Sequence, residues 1–338
     1  MRAFVLYHLY SGQSWFTAGL VFMTIVALEM GDVFSSRERA RGVARVTLIL
    51  LFPIALFSGT PIPLVLAIPL AASTIAWAGF FMAGRHSRVL GAAAVFCVLA
   101  ALLVELPYHW GRQGSRRGAA EQIVVVGDSL SAGGFGEDAA WPELLGKRTG
   151  GGLRNLARPS ETTESARDQL SGLRWAATTL VIIEIGGNDM LDGTFPTLFA
   201  HNLEKLLAIV VPRAPADERD VVMFELPVVP GAWAYGAHQR RLAKQYGVRL
   251  LPKRLLARVL SQEQYVADGL HLTSLGHEEL ARMVALFLEF EKPATVSSSS
   301  QSRRWRGPRV AQASRLGYTC YSVMVARHRT LRPIRARN

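Results

Sequence analysis

Residues 121–131 read EQIVVVGDSLS, and this stretch decides the fold. Ile123 to Val126 form a short apolar run closed by Gly127, which suits a buried strand. Ser129 follows at once, on what reads as a strand-to-helix turn. LVIIEIGG (180–187) and DVVMFELP (220–227) have the same texture. GVRLL (247–251) supplies a fourth candidate strand and LRNLA (153–157) a short fifth. Helical patterns fall between them, near 141–149, 163–173, 196–211, 233–246 and 275–290. Strands alternating with helices predict a parallel sheet covered on both faces. In such sheets the chemistry sits at the carboxyl ends of the strands.

Upstream the composition changes. Residues 1–110 hold eleven charged side chains, and none lies between Val46 and Gly84. The spacing predicts four transmembrane helices, at about 13–31, 44–59, 62–84 and 89–108. Pro53, Pro61 and Pro63, with Ser58 and Gly59, break the long apolar stretch. A signal peptide fits poorly: the first segment has only Arg2 as a basic leader, and no small-residue cleavage site follows it. Four spans put the N-terminus on the same side as the rest of the chain. The loops on the other side carry Arg37, Arg39, Arg41, Arg45, Arg85 and Arg88. Positive charge marks the cytoplasmic side, so the following domain is expected to face outward from a bacterial inner membrane. Glu29, Asp32 and Glu105 fall at span ends and are expected to be hydrated there. Cys97 reads as a small apolar filler within a span.

This gives a transmembrane region at 1–110, a polar linker at 111–120 (GRQGSRRGAA), an α/β domain at 121–292 and a basic, low-complexity tail at 293–338, read as disordered. The tail contains ten Arg and no acid, which is ten of the chain's twelve net positive charges. The remainder is nearly neutral, so no nucleic-acid partner is expected; a basic folded face would have argued for one. Half of the residues are hydrophobic and 19% are charged, which excludes a disordered or wholly soluble chain. Two distant cysteines exclude a disulfide scaffold and a zinc cluster.

Four motifs carry chemistry. Ser129 stands where free N–H groups and the positive end of a helix meet a strand end, which suits a nucleophile whose reaction builds an oxyanion. Asp268-Gly-Leu-His271 places a carboxylate and an imidazole on one loop, the base and orienting group that a serine nucleophile needs. Gly186-Gly187-Asn188-Asp189 follows the third strand, where Asn188 can donate a hydrogen bond and Gly187 lets backbone approach a substrate. NLARPSETT (155–163) offers backbone N–H groups after the short strand. Asp128 and Asp189 are read as loop-orienting groups, His277 as structural, and Glu184 as buried without a catalytic role. Gly133, Gly134 and Phe135 read as a rim. Trp233, in the loop after DVVMFELP, either lines an acyl pocket or packs a helix start.

Residues 121–291 resemble the SGNH/GDSL hydrolase family, and most of all its acyl thioesterase and lysophospholipase branch. IVVVGDSLSAG, LVIIEIGGNDML and VADGLHLTSLGH resemble its first, third and last blocks, in order. WPELLG, VVMFELP and YGVRLLP also fit that branch. The resemblance implies a flavodoxin-like three-layer α/β domain, here preceded by an all-α region of about four helices. It implies Ser129 as nucleophile, with Asp268 and His271 completing the triad. It implies an oxyanion hole from the N–H of Ser129, the side chain of Asn188 and the residue matching a family glycine. That residue is Ser160 here, which would be strained if a positive φ is required. Neither metal nor cofactor is implied. The expected partners are the bilayer and a small acyl ester or thioester. Cell-envelope carbohydrate deacetylation and mere ligand binding are the alternatives.

Overall fold

The computed structural model describes residues 2–110, 122–134, 139–150, 152–176, 179–212 and 219–288. The expected linker at 111–120, the tail at 293–338 and Phe135 lie outside the described residues.

The N-terminal part is helical: α1 (Arg2–Tyr10), α2 (Gln13–Met30), α3 (Glu38–Leu56), α4 (Leu64–Met82) and α5 (Arg88–Trp110). Four long helices lie where the four spans are expected, and α1 is additional. Among the described residues, α2, α4 and α5 are long and apolar enough to cross a membrane. Helix α3 differs because Glu38, Arg39, Arg41 and Arg45 occupy its first turns. Large apolar side chains face outward around these helices, among them Val46, Ile49, Phe52, Leu64, Ile68 and Phe96. The helices alternate in direction. The far ends of α2 and α5 meet where Arg88 reaches Asp32 at 3.1 Å and His86 reaches Glu29 at 2.5 Å. The near end holds the start of the chain, where Gly59 N–H donates to Leu9 O.

The rest of the described chain runs β1 (Gln122–Gly127), α6 (Ser129–Ala132), α7 (Trp141–Thr149), β2 (Gly152–Asn155), α8 (Thr163–Leu170), β3 (Thr179–Glu184), α9 (Gly187–Leu191), α10 (Pro196–Val210), β4 (Asp220–Phe224), α11 (Trp233–Tyr246), β5 (Arg249–Leu251), α12 (Arg254–Leu260), a 3-10 turn (Glu263–Tyr265) and α13 (Ser274–Phe287). The strands pair in parallel in the order β2-β1-β3-β4-β5. This is the flavodoxin-like order, with its switch point between β1 and β3.

The continuous apolar strands are explained by burial on both faces. Val124, Val126, Val181 and Ile183 pack under α8, α10 and α11. Ile123, Val125, Leu180 and Ile182 pack under α7, α12 and α13. Successive side chains point to opposite faces, so each strand feeds both cores. Three layers result, as the sequence predicts.

The two parts are joined by a buried ionic cluster. Glu105 of α5 receives both terminal nitrogens of Arg240 of α11, at 2.6 and 2.8 Å. Lys253 Nζ lies 3.4 Å from the same carboxylate and donates to Gly59 O at 2.7 Å. Arg240 Nε donates to Glu225 at 2.7 Å, and its guanidinium stacks 3.8 Å over Tyr108. Burial works against the Arg240 charge, but Glu225 and Glu105 outweigh it and hold the group above its usual range. Burial lowers Lys253 despite the same two acids. The expectation that Glu29 and Glu105 are hydrated is corrected: each is 2% exposed and paired. Asp32 is exposed as expected.

Candidate active site

The candidate residues gather at the carboxyl ends of β1 and β3, where hydrogen bonds tie several loops into one frame. Asp128 N–H donates to Glu184 O, joining the ends of the two strands. Leu156 N–H donates to Val125 O and Arg158 N–H to Gly127 O, which pins the loop after β2 against β1. Asn188 Nδ2 donates to Glu161 O at 2.9 Å, so the α9 turn holds the segment next to Ser160. Asp189 accepts from Thr163 N–H at 2.9 Å and from its hydroxyl at 2.6 Å, fixing the start of α8. Burial raises the Asp189 carboxyl above its usual value, against the pull of those Thr163 bonds. Asp128 and Asp189 thus orient loops, as the sequence reading has it.

Ser129 is 8% exposed and begins α6. Asp128 caps that turn by accepting from Leu130 N–H at 2.9 Å. The following Leu130 is anchored in the same hydrophobic cluster as Leu272, which follows His271. The imidazole is close enough to act electrostatically on Asp128.

The loop carrying Asp268 and His271 is a narrow hairpin. Val266 bridges Leu272, and Ala267 N–H donates to His271 O. Gly269 takes φ 92°, a turn conformation that side chains resist. Asp268 Oδ1 accepts the N–H groups of Leu270 and His271, and Oδ2 meets His271 Nδ1 at 2.6 Å. These bonds, His271 first, hold the Asp268 carboxyl well below the usual range. It stays ionised and occupies the Nδ1 side of the ring.

Ser160 has φ 59°, in the left-handed region that favours glycine. Ser160 therefore holds, with its Cβ, a backbone conformation that glycine adopts without strain. Gly187 lies against Asp128, whose Oδ2 would sit 3.3 Å from an added Cβ. Trp233 stands apart from these groups. It opens α11, and its Nε1 donates to Ser58 O at 3.3 Å, in the turn between α3 and α4. His277 is structural: its Nδ1 accepts from Trp141 N–H at 3.1 Å.

Beneath Ser129 lie the buried acids Asp128 and Glu184, read separately in the sequence and brought together by the fold. Glu184 accepts from Ser131 Oγ at 2.8 Å, and Trp141 Nε1 donates to the same hydroxyl at 3.1 Å. Burial and the neighbouring Asp128 charge hold the Glu184 carboxyl well above its usual value. Burial pushes Asp128 up to about 6. Two adjacent buried carboxylates cannot both ionise cheaply, so each raises the other's resistance to losing its proton. Two glutamate-like positions flanking a serine turn at strand ends were the available signal.

Residues 125–279 match the GDSL-like Lipase/Acylhydrolase family. Thioesterase 1/protease 1/lysophospholipase L1 of Escherichia coli (strain K12) is 31% identical over 168 residues, covering 46% of this chain and 77% of that protein. An arylesterase of Vibrio mimicus is 29% identical over 195 residues, covering 49% of this chain and 88% of that protein. Among solved structures, a crystal structure of TesA aligns with a TM-score of 0.43 at 28% identity, covering 50% of this chain and 98% of that one.

Proposed function

The chain belongs to the GDSL-like lipase/acylhydrolase family, and from that premise we propose that it is a membrane-anchored serine ester hydrolase. Its substrates are acyl esters or thioesters of the kind its relatives' names describe, and Ser129 carries the acyl group between two half-reactions. The observation that carries this reading is the Asp268–His271 pair at 2.6 Å, on a loop whose Leu272 packs in the same hydrophobic core as Leu130 of the Ser129 turn.

The geometry suits the following sequence. His271 Nε2 takes the Ser129 proton as Oγ attacks the carbonyl carbon. The oxyanion is met by the N–H groups of Ser129 and Ser160 and by the second Nδ2 hydrogen of Asn188, whose first is held by Glu161. The acyl–oxygen or acyl–sulfur bond breaks, and the leaving group takes the proton from His271. Water then repeats the attack on acyl-Ser129 and releases the acid. Gly187 leaves room for the substrate backbone or chain.

Orientation follows from the alternating helices. The six arginines of the α2–α3 and α4–α5 turns lie at the end away from the sheet, while Arg2 lies near Glu263 on the sheet side at 3.9 Å. The positive-inside rule then favours a sheet domain on the extracytoplasmic side.

The test is turnover by the full chain in detergent, on chromogenic esters from acetyl to long acyl. Ser129→Ala is expected to lower kcat by several orders of magnitude and to abolish labelling by a fluorophosphonate. A folded wild-type protein with neither serine-dependent turnover nor labelling would overturn the reading.

A further inference from the structure

The catalytic edge of the sheet is also the edge that docks on the N-terminal helices. Ser129 and Asn188 follow β1 and β3; Trp233 and Lys253 follow β4 and β5. In a parallel sheet all four positions lie on one side, and neighbouring strands are spaced about 4.8 Å apart. The ends of β1 and β4 are two strands apart in the order β2-β1-β3-β4-β5, or roughly 10 Å along that edge.

Directly under the docked side is an apolar cleft of about 540 Å³ between α2, α3, α4 and α5. This lies within the range of about 300–1,000 Å³ usual for small-molecule sites. Its depth is walled by Phe22, Leu48, Phe52 and Val98, with Ala71 and Ala78 leaving the space open. Its near end differs in chemistry. Trp15, Ser58, Thr60 and Trp233 line it there, Trp233 being contributed by the sheet domain. Thr60 is 6% exposed and its Oγ1 has no hydrogen-bond partner among the described residues. The Trp15 Nε1 is likewise buried without a partner. The nearby charges of Arg240 and Lys253 are already matched by Glu105 and Glu225. Among the described residues no unmatched charge is left at the near end to hold a phosphate, so the cleft suits an uncharged chain.

Resting on the hydrolase reading, we propose that this cleft is the acyl-chain subsite: it holds the hydrocarbon chain of a lipid ester within the membrane leaflet, with the ester end emerging past Thr60, Trp15 and Trp233 toward the edge that carries Ser129. A chain entering from lipid gains little from hydrophobic burial, since its surroundings are already apolar. Selection comes from packing along the cleft.

The experiment uses the full chain in lipid nanodiscs. A long-chain acyl ester carrying a terminal diazirine is photolysed on the Ser129→Ala protein and the adduct is mapped by mass spectrometry. Label is expected on cleft residues of α2, α3 or α4, and Ala71→Trp is expected to reduce it tenfold or more. Ala78→Phe serves as an independent filler. In the serine-intact protein, either filler is expected to lower the ratio of long-chain to acetyl kcat/KM at least tenfold. Label outside the cleft, label indifferent to both fillers, or a crosslinked dimer in place of a lipid adduct would overturn the subsite. Serine-dependent turnover with an unchanged chain-length ratio overturns the subsite alone. Cleft labelling without any Ser129-dependent turnover keeps the subsite and overturns the hydrolase reading.

Discussion

At the scale of single residues, Ser160 shows what a substitution costs when backbone direction is the functional requirement. Its φ of 59° places a Cβ where the left-handed region resists one, at roughly 1–2 kcal/mol. The conformation is over-determined from both sides: Arg158 N–H is held by Gly127 O, and Glu161 O is held by Asn188. The cost is borne as backbone strain. Ser160→Gly would remove that strain, while glycine's freedom in the unfolded chain takes back about 0.5–1 kcal/mol. The expected outcome is a melting temperature at or above that of the parent and an ester turnover at least as fast. Ser160→Ala, which keeps the Cβ, should show no such gain. A glycine variant that melts several degrees lower, or loses more than tenfold in kcat, would show that the serine hydroxyl and not the backbone matters here.

At the scale of elements, β1 and β3 do more than carry loops. Their ends are bound together by Asp128 N–H to Glu184 O, and burial holds the Asp128 and Glu184 carboxyls above their usual values beneath the Ser129 turn. The folded carboxyl of Glu184 titrates above its unfolded value of 4.5, so its contribution to stability is complete below that value and is lost as pH rises through the folded one. Glu184→Gln keeps an acceptor for Ser131 and a permanent donor toward Asp128. The fall in melting temperature between pH 5 and pH 9 is therefore expected to be smaller in the variant than in the parent. Equal slopes would mean that the folded chain does not hold the Glu184 carboxyl above its unfolded value. Much of this level was legible in the sequence. The apolar runs at 13–31 and 62–84 became α2 (Gln13–Met30) and α4 (Leu64–Met82), because the length of a charge-free stretch limits a helix in an apolar setting. Helix α3 begins at Glu38 rather than 44, since charged residues that read as loop also suit a first turn, where an acid meets the positive end of the helix. Short α1 and α12 had too few turns to show a period. The motifs around Ser129, Asn188, Asp268 and His271 were legible because each is local in sequence.

At the scale of the whole molecule, the sequence was silent on the contact that joins its two parts. Glu105 and Arg240 are 135 residues apart, and Arg240 sits in a run, QRRLAK, that resembles an ordinary solvated helix face. Only the fold brings the acid of α5 under the base of α11. The surroundings are tight: an added Cβ on Gly59 would fall 2.5 Å from Val228 O. Such a joint fixes how the sheet's catalytic edge faces the helices, which is the premise of any lipid route into the site. Its energetics are asymmetric. A buried pair gains little net stability over apolar packing, but removing one partner strands the other at a cost of about 3–5 kcal/mol. Glu105→Ala leaves Arg240 with Glu225 alone and Lys253 with a backbone carbonyl, so the full chain in detergent should melt markedly lower. Arg240→Met should cost at least as much, because it strands the buried Glu105 and Glu225 together. As a control, Asp32→Ala breaks an exposed pair and should cost under about 1 kcal/mol, within the range of surface ion pairs. If Glu105→Ala melts with the parent, the joint is not held by this cluster. The sheet domain would then be free to reorient on its helices, and long-chain esters would lose their advantage over acetyl esters in the assembled protein.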